Sequence, residues 1–387
     1  MRILYIADGR SPITISWISY FIETGHQVHL VSSYPAQPKL ELASLNYLPV
    51  AFSGAAGQDK SEGRGKVIKS VLTASVRTRI RHFFGPITIP AAAKKLKAII
   101  NEIKPELVHA LRIPYEGMLA AAADLTSPLL VSIWGNDFTL HANTTPLMST
   151  YTWRTLARAD ALLTDCQRDA NLARRWGYSS SRPCKVLPGA GGVQLDLFTQ
   201  PTQERVVPIV VNPRGLRAYV RNDTFFKALP LVLQDVPDAR FLCPAMAGET
   251  EAERWVSELE LAAQVKLLPK MDRSQMAELF QKAQVVVSPS EHDGTPNTLL
   301  EAMACGCFPV VGDIESLREW VKPGLNGLLV DPGDPAGLAA AIISALKYGE
   351  LRDEAAKYNR ALVEEKADYE KVMPQAEAYY REIVGKE

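Results

Sequence analysis

Short, continuous apolar runs alternate from end to end of the chain with longer stretches whose apolar residues recur at helical spacing. The first kind reads as strands buried on both faces and the second as amphipathic helices laid over them, so the alternation predicts parallel sheets covered on both sides. In the first half the runs fall at Ile3–Ala7, Val28–Ser32, Leu107–Ala110, Leu129–Ile133, Ala161–Thr164 and Lys185–Leu187. In the second half they fall at Ile209–Val211, Arg240–Cys243, Val265–Leu268, Val285–Ser288, Phe308–Val311 and Leu328–Val330. Two comparable series predict an α/β protein of two Rossmann-like domains, over 1–196 and 206–366. Between them Leu197–Arg205 is polar, carries Pro201 and lacks periodicity, as a linker does. A last segment, 367–387, contains a helical stretch at Tyr369–Ile383, and the small, polar segment 52–63 reads as a loop.

At 387 residues the chain can bury two cores of common domain size. Apolar residues make up 47% and charged residues 22% of it, a globular balance, and 43 basic against 43 acidic residues leave no net charge. A general nucleic-acid binder needs a basic excess, so nucleic acid is not an expected partner. Locally the balance fails: between Arg64 and Ile100 stand nine Lys or Arg residues and no acid. Within 64–84 Lys66, Lys69, Arg77, Arg79 and Arg81 are interleaved with apolar residues, the pattern of a helix that packs on its own domain, rests on an anionic membrane surface or binds a lipid diphosphate acceptor. The scattered Cys166, Cys184, Cys243, Cys305 and Cys307 lack disulfide or zinc spacing and suit a reducing compartment. Met1–Ala7 reads as a first strand rather than an export signal, and no run is long enough to span a bilayer. A cytoplasmic location, with peripheral membrane contact through 64–84, is expected.

The candidate chemistry concentrates near the C-terminal end. There Val285–Ser288 is a strand, Asp293 to Pro296 a turn and Thr298–Cys305 the opening of a helix. Such a junction aims unpaired backbone N–H groups and the positive end of a helix dipole at the loop, a seat for phosphate. Asp293 stands in the loop and Glu301 eight residues on within the helix, so the two acids can hold hydroxyls at opposite ends of one extended ligand. Gly294, Thr295, Asn297, Thr298 and Leu299 line the seat between them. Arg214, Arg217 and Arg221 follow the first strand of the second half, where ligands of open sheets bind, and guanidinium groups fork onto phosphate oxygens. With that charge built in, neither a metal nor a cofactor is expected. An ordinary strand–turn–helix with solvated arginines is the alternative.

These segments resemble the donor site of the family 4 retaining glycosyltransferases of the GT-B fold, whose pattern is a Glu, seven residues, a second Glu and then Ala-Met-Ala-x-Gly-x-Pro. Glu301-Ala302-Met303-Ala304-Cys305-Gly306-Cys307-Phe308-Pro309 matches with one extra residue before the proline, and Asp293 stands for the first Glu. The resemblance implies two Rossmann-like domains facing each other across a cleft, with the acceptor on the first, the nucleotide sugar on the second, and the last helix crossing back to the first. It implies a retaining hexosyltransferase that takes a nucleoside diphosphate sugar, UDP-sugar favoured and UDP-glucose among the candidates. The hexose passes to a hydroxyl of a saccharide or lipid-linked acceptor in polysaccharide or glycoconjugate synthesis.

On the same resemblance Arg214, Asp293 and Asp137 are catalytic, Asp293 orienting the sugar and Glu301 the ribose. Arg214 matches the family's motif arginine, Arg221 replaces its lysine, and the loop carrying Lys270 and Met271 holds the base through main-chain groups. Ser132–Asp137 parallels a His-Gly-x-Asp element in which Trp134 replaces the histidine; the retained Asp137 orients the loop or the acceptor, or caps a helix. Gly9, after the first strand, lets the backbone approach the donor, and Arg10 could meet an anionic acceptor. That turn lacks G-x-G-x-x-G, which speaks against a dinucleotide dehydrogenase. Gln194 stands where the family has Asp. A sugar-nucleotide epimerase on the same fold, and a sugar-nucleotide-binding protein without turnover, are the other readings these residues allow.

Overall fold

The computed structural model describes residues 1–51, 53 and 81–385. Apart from Ser53, the segment 52–63 lies outside the described residues, and so does the basic stretch 64–80. The chain divides into two compact units, Met1–Gly191 with Met373–Glu387, and Gly192–Val372.

The first unit is built on a wholly parallel sheet of seven strands in the order β3-β2-β1-β4-β5-β6-β7. These are β1 (Arg2–Ala7), β2 (Gln27–Ser32), β3 (Ser44–Tyr47), β4 (Leu107–Ala110), β5 (Leu129–Ile133), β6 (Ala161–Thr164) and β7 (Cys184–Val186). The second unit carries six parallel strands in the order β10-β9-β8-β11-β12-β13. Here β8 is Ile209–Val211, β9 Arg240–Cys243, β10 Val265–Leu267, β11 Val285–Ser288, β12 Phe308–Gly312 and β13 Leu328–Val330. The central strands are buried along their whole length, as in β4, β5 and β11, because helices cover both faces. In each sheet the order reverses beside the first strand of the unit, between β1 and β4 and between β8 and β11, and the crevices beyond the carboxyl ends of such pairs are where open sheets take ligands.

The pattern misses β3, which pairs with β2 at the sheet edge and exposes Leu45 and Tyr47. An edge strand of four residues carries no continuous apolar run to betray it. The stretch 197–205 is not a free linker either. Phe198 is fully buried, and the Arg205 guanidinium donates to the carbonyls of Phe280, Gln281, Cys305 and Gly306, fixing a segment whose composition looked unanchored. Nearby, Gly192 has φ +92° and a Cβ there would run into the Ala367 carbonyl, where Val193 and Asp368 form a parallel bridge. Among the described residues no helix is long and apolar enough to cross a membrane.

The helix Tyr369–Ile383 contributes Tyr380 to the core of the first unit. The Tyr380 hydroxyl accepts from Trp17 Nε1 (2.8 Å) and Tyr5 Oη (3.3 Å) and donates to His109 Nδ1, while His109 Nε2 donates to Ser132 Oγ (2.8 Å). That chain of donors fits only a neutral His109, which is fully buried and is structural rather than a ligand-facing group. Burial depresses its pKa to about 3. The unfolded chain, with a His pKa of about 6.5, therefore binds the extra proton first, and the stability that neutral His109 confers is complete above that value and lost as pH falls toward about 3. The unfolding midpoint is expected to drop between about pH 7.5 and about pH 5, and His109→Gln, which cannot titrate, to flatten part of that drop. Parallel melting profiles for the two proteins would reject the assignment.

Candidate functional site

In the second unit the loop after β8 is shaped by two buried asparagines. Asn212 Nδ2 donates to Asn222 Oδ1 (3.0 Å) and Asn222 Nδ2 to the Gly215 carbonyl (3.1 Å), folding the chain back on itself. The turn leaves Arg214 with its Nη2 2.7 Å from Asp293 Oδ2, each side chain about one-eighth exposed, while Arg214 Nε is buried without a partner. Asp293 is itself fixed: it accepts from the Gly294 N–H (3.2 Å), and its carbonyl receives the Ser316 hydroxyl (2.7 Å). Asp293 and Arg214, both picked from the sequence, thus meet, and the Nε–H of the guanidinium is left without a partner.

The helix Asn297–Ala304 starts after Pro296, which offers no capping side chain. The Leu299 and Leu300 N–H groups donate to the Pro296 carbonyl, so those of Asn297 and Thr298 are left to carry the positive end of the helix dipole. Asn297 Oδ1 and Thr298 Oγ1 are buried there with no hydrogen-bond partner. Glu301 follows at i+4 and i+3, on the same face of the helix, and is 8% exposed. Burial pushes its carboxyl above the ordinary range, against the pull of Arg273, whose Nη2 lies 3.4 Å from Oε1. Gly294 and Thr295 are buried beneath the loop, Thr295 Oγ1 accepting from Trp320 Nε1 (3.0 Å), and Leu299 is buried in the core. Those three support the seat rather than line it with polar groups.

Arg221 and Arg217 differ from Arg214. Arg221 adopts a left-handed backbone (φ 52°) and is held by Asp223 on Nε and Nη2 and by Glu291 on Nη1 (2.6 Å). Glu291 thereby ties the β11 loop to the β8 loop. Arg217 is exposed and donates to Tyr219 Oη (3.0 Å). Lys270 is exposed and Met271 half-buried in the loop after β10, where the carbonyls of Leu268 and Pro269 accept from Ala245, Met246 and Ala247. Sequence reasoning missed Arg273. It is the first residue of the helix Arg273–Lys282, whose start is set by an Asp272–Gln275 capping box, and only the fold brings it to Glu301.

In the first unit the Gly9 N–H donates to Ser32 Oγ (3.1 Å), and a Cβ on Gly9 would lie 2.9 Å from that of Ala36, so its backbone is packed inward. Asp137 is wholly buried and accepts from Arg112 Nη2 (2.7 Å) and from the N–H groups of Ile113 (3.0 Å) and Trp134 (3.3 Å). Of the roles open to it, orienting the loops after β4 and β5 is the one these contacts describe.

The family described as glycosyl transferases group 1 matches residues 202–362, and the one described as glycosyl transferase 4-like matches residues 2–166. Among curated relatives, the D-inositol 3-phosphate glycosyltransferase of Geodermatophilus obscurus is 30% identical over 224 residues, 52% of this chain and 49% of that protein. The phosphatidyl-myo-inositol mannosyltransferase of Mycolicibacterium smegmatis is 31% identical over 128 residues, 32% of each. The chain thus spans about half the length of these relatives or less. Among solved structures, the sucrose-phosphate synthase of Thermosynechococcus elongatus is similar at a TM-score of 0.74, covering 100% of both chains at 18% identity. Anabaena HepE, in complex with UDP and glucose, reaches 0.73 over 98% of this chain and 99% of its own at 16% identity. At such identities the likeness shows the fold, the GT-B class with its two Rossmann-like domains.

The geometry separates the arginines by what replacing each should do. Arg214→Ala and Glu301→Ala are each expected to weaken binding of a nucleoside diphosphate by about tenfold or more, the worth of a charge-assisted hydrogen bond. Arg221→Ala, which unties two loops, is expected chiefly to lower the melting temperature. Calorimetric titration beside thermal unfolding checks both, and unchanged affinity in the first two variants would reject their roles.

Proposed function

We propose that this chain, which belongs to the group 1 glycosyltransferases, moves a hexose from a nucleoside diphosphate sugar to an acceptor hydroxyl with retention at the anomeric carbon. The observation that carries this reading is the unfilled polar start of the Asn297–Ala304 helix, where Asn297 Oδ1 and Thr298 Oγ1 are buried without partners beside uncapped N–H groups. Each unpaired buried polar atom costs about 1–3 kcal/mol. The arrangement calls for a ligand that both accepts and donates. A diphosphate takes the helix N–H groups and Arg214 Nε, and sugar or ribose hydroxyls donate to Asn297 and Glu301. UDP is the favoured nucleotide, following HepE, whose structure holds UDP with glucose.

Arg214 and the helix N-terminus stabilise the negative charge that grows on the leaving diphosphate. Fixed in advance by Asp293 and by the backbone, they need little reorganisation as the bond breaks. Asp293 orients the sugar. The anomeric C–O bond to the diphosphate breaks while the acceptor oxygen approaches the face it leaves, and the acceptor's proton passes to a diphosphate oxygen. No side chain becomes a nucleophile. Ribose hydroxyls at Glu301 favour its ionised form against the effect of burial. The acceptor is a saccharide or lipid-linked hydroxyl, with the basic stretch 64–84 meeting the membrane on its cytoplasmic face.

A panel of nucleoside diphosphates and their sugars, run without added divalent cation, tests the donor. UDP and UDP-glucose are expected to raise the melting temperature most, since a ligand at one hundred times its Kd adds about 2.7 kcal/mol to the native state. A panel without any shift would sink the donor site, and a product of inverted anomeric configuration would sink retention.

A further inference from the structure

The first unit encloses a cavity of about 350 Å3, beyond the carboxyl ends of β1 and β4, lined among others by Asp8, Tyr34, Arg81, His82, Arg112 and Glu116. That volume suits a compound the size of a phosphorylated sugar or smaller. Its charges are unevenly paired. Asp8 is paired with Arg10 (2.9 Å) and Arg112 with the buried Asp137 (2.7 Å). Glu116 is 3% exposed and accepts from the Ser33 hydroxyl, and burial pushes its carboxyl above the ordinary range in spite of Arg112, Ser33 and Arg81. Among the described residues Arg81 has no carboxylate partner.

Arg81 is held by rings instead. Its guanidinium carbon lies 4.3 Å from the centre of the Tyr115 ring and 5.3 Å from that of Tyr34, which carries Arg10 at 3.8 Å, and its Nε is buried with no partner. An aromatic clamp fixes a guanidinium without neutralising it, so the N–H fork and the full charge stay available. Tyr115 reaches its place in the clamp through a backbone that bulky residues rarely adopt, φ 68° and ψ −53°, a strain that persists only where the surroundings impose it. Beside Arg81, His82 Nε2 and His141 Nδ1 lie 2.9 Å apart, so the pair adds a polar wall to the same cavity. Burial first, then Arg81 and Arg112, holds His82 below its ordinary pKa.

We infer that this cavity is an oxyanion subsite, with Arg81 as the principal ligand-binding residue, and that it takes a phosphate group carried on a small hydroxyl compound or on a lipid headgroup. Resting on the transferase reading, the inference makes the acceptor a phosphorylated one, whose phosphate docks on Arg81 while a hydroxyl is presented for transfer.

The test uses the intact protein and titrates glycerol 3-phosphate, with glycerol as the uncharged control and vesicles of phosphatidic acid as a second arm. Saturable binding of glycerol 3-phosphate, absent for glycerol and weakened about tenfold or more by Arg81→Gln with UDP affinity unchanged, supports the subsite. Arg81→Lys, which keeps the charge but not the fork, is expected to fall between. Arg81-dependent binding to the vesicles with none to glycerol 3-phosphate assigns the phosphate to a lipid. Equal affinity in wild-type and Arg81→Gln overturns the inference, and so does binding lost in Arg214→Ala but kept in Arg81→Gln, since the anion then sits in the second unit. Because UDP is titrated separately, loss of the donor reading shows in that arm alone.

Discussion

The charged groups of both candidate sites are placed by one constraint: both sheets are wholly parallel and covered on both faces. A strand buried on two sides has little room for charge along its length, and a titratable group there, such as His109 in β4, stays neutral, so charge collects where strands end and helices begin. At those ends the backbone itself supplies unpaired N–H groups. The loops after β8 and β11 in one unit, and after β1 and β4 in the other, lie next to the place where strand order reverses, and they carry the Arg214–Asp293 pair and the Arg81 pocket respectively.

The two places hold their cations differently, and the difference decides what each can do. A guanidinium paired with a carboxylate is cheap to bury and precisely aimed in orientation, but much of its field is cancelled; Arg221, held by Asp223 and Glu291, is the extreme case and works as a tie between loops. Arg214 is intermediate, with one acid on Nη2 and a partnerless Nε–H, which on the proposed reading suits it to a ligand whose charge grows during the reaction. Arg81, between Tyr34 and Tyr115, is held without a direct carboxylate partner among the described residues and on the inference above suits a ligand that arrives already charged. Graded neutralisation thus gives similar side chains distinct roles.

How much of this could be read from the chain follows from how local each feature is. The central strands were legible because burial on both faces demands a continuous apolar run, as at Leu129–Ile133, and the exposed edge strand Ser44–Tyr47 was not, because nothing demands one there. Asp293 and Glu301 were legible because a strand, a turn and a helix start fall within one contiguous stretch. Arg273 meets Glu301 across 28 residues and Arg81 meets Tyr34 and Tyr115 through the fold, so no spacing rule announces either. Gly9 and Asp137 follow strands, and their hydrogen bonds go to Ser32 and to the Arg112 loop, partners that no spacing rule names.

Glu301 illustrates why that engagement matters for chemistry. A carboxyl that is nearly enclosed and faces one arginine at 3.4 Å is poorly solvated and incompletely paired, so without a ligand it resists ionisation. Asn297 and Thr298, on the same helix face, are likewise short of partners. A residue whose requirements were fully met by the protein would gain nothing from binding. On the proposed reading, the partnerless Asn297 Oδ1 and Thr298 Oγ1, together with Arg214 Nε, match a ligand that offers hydroxyl donors at one end and oxyanion acceptors at the other.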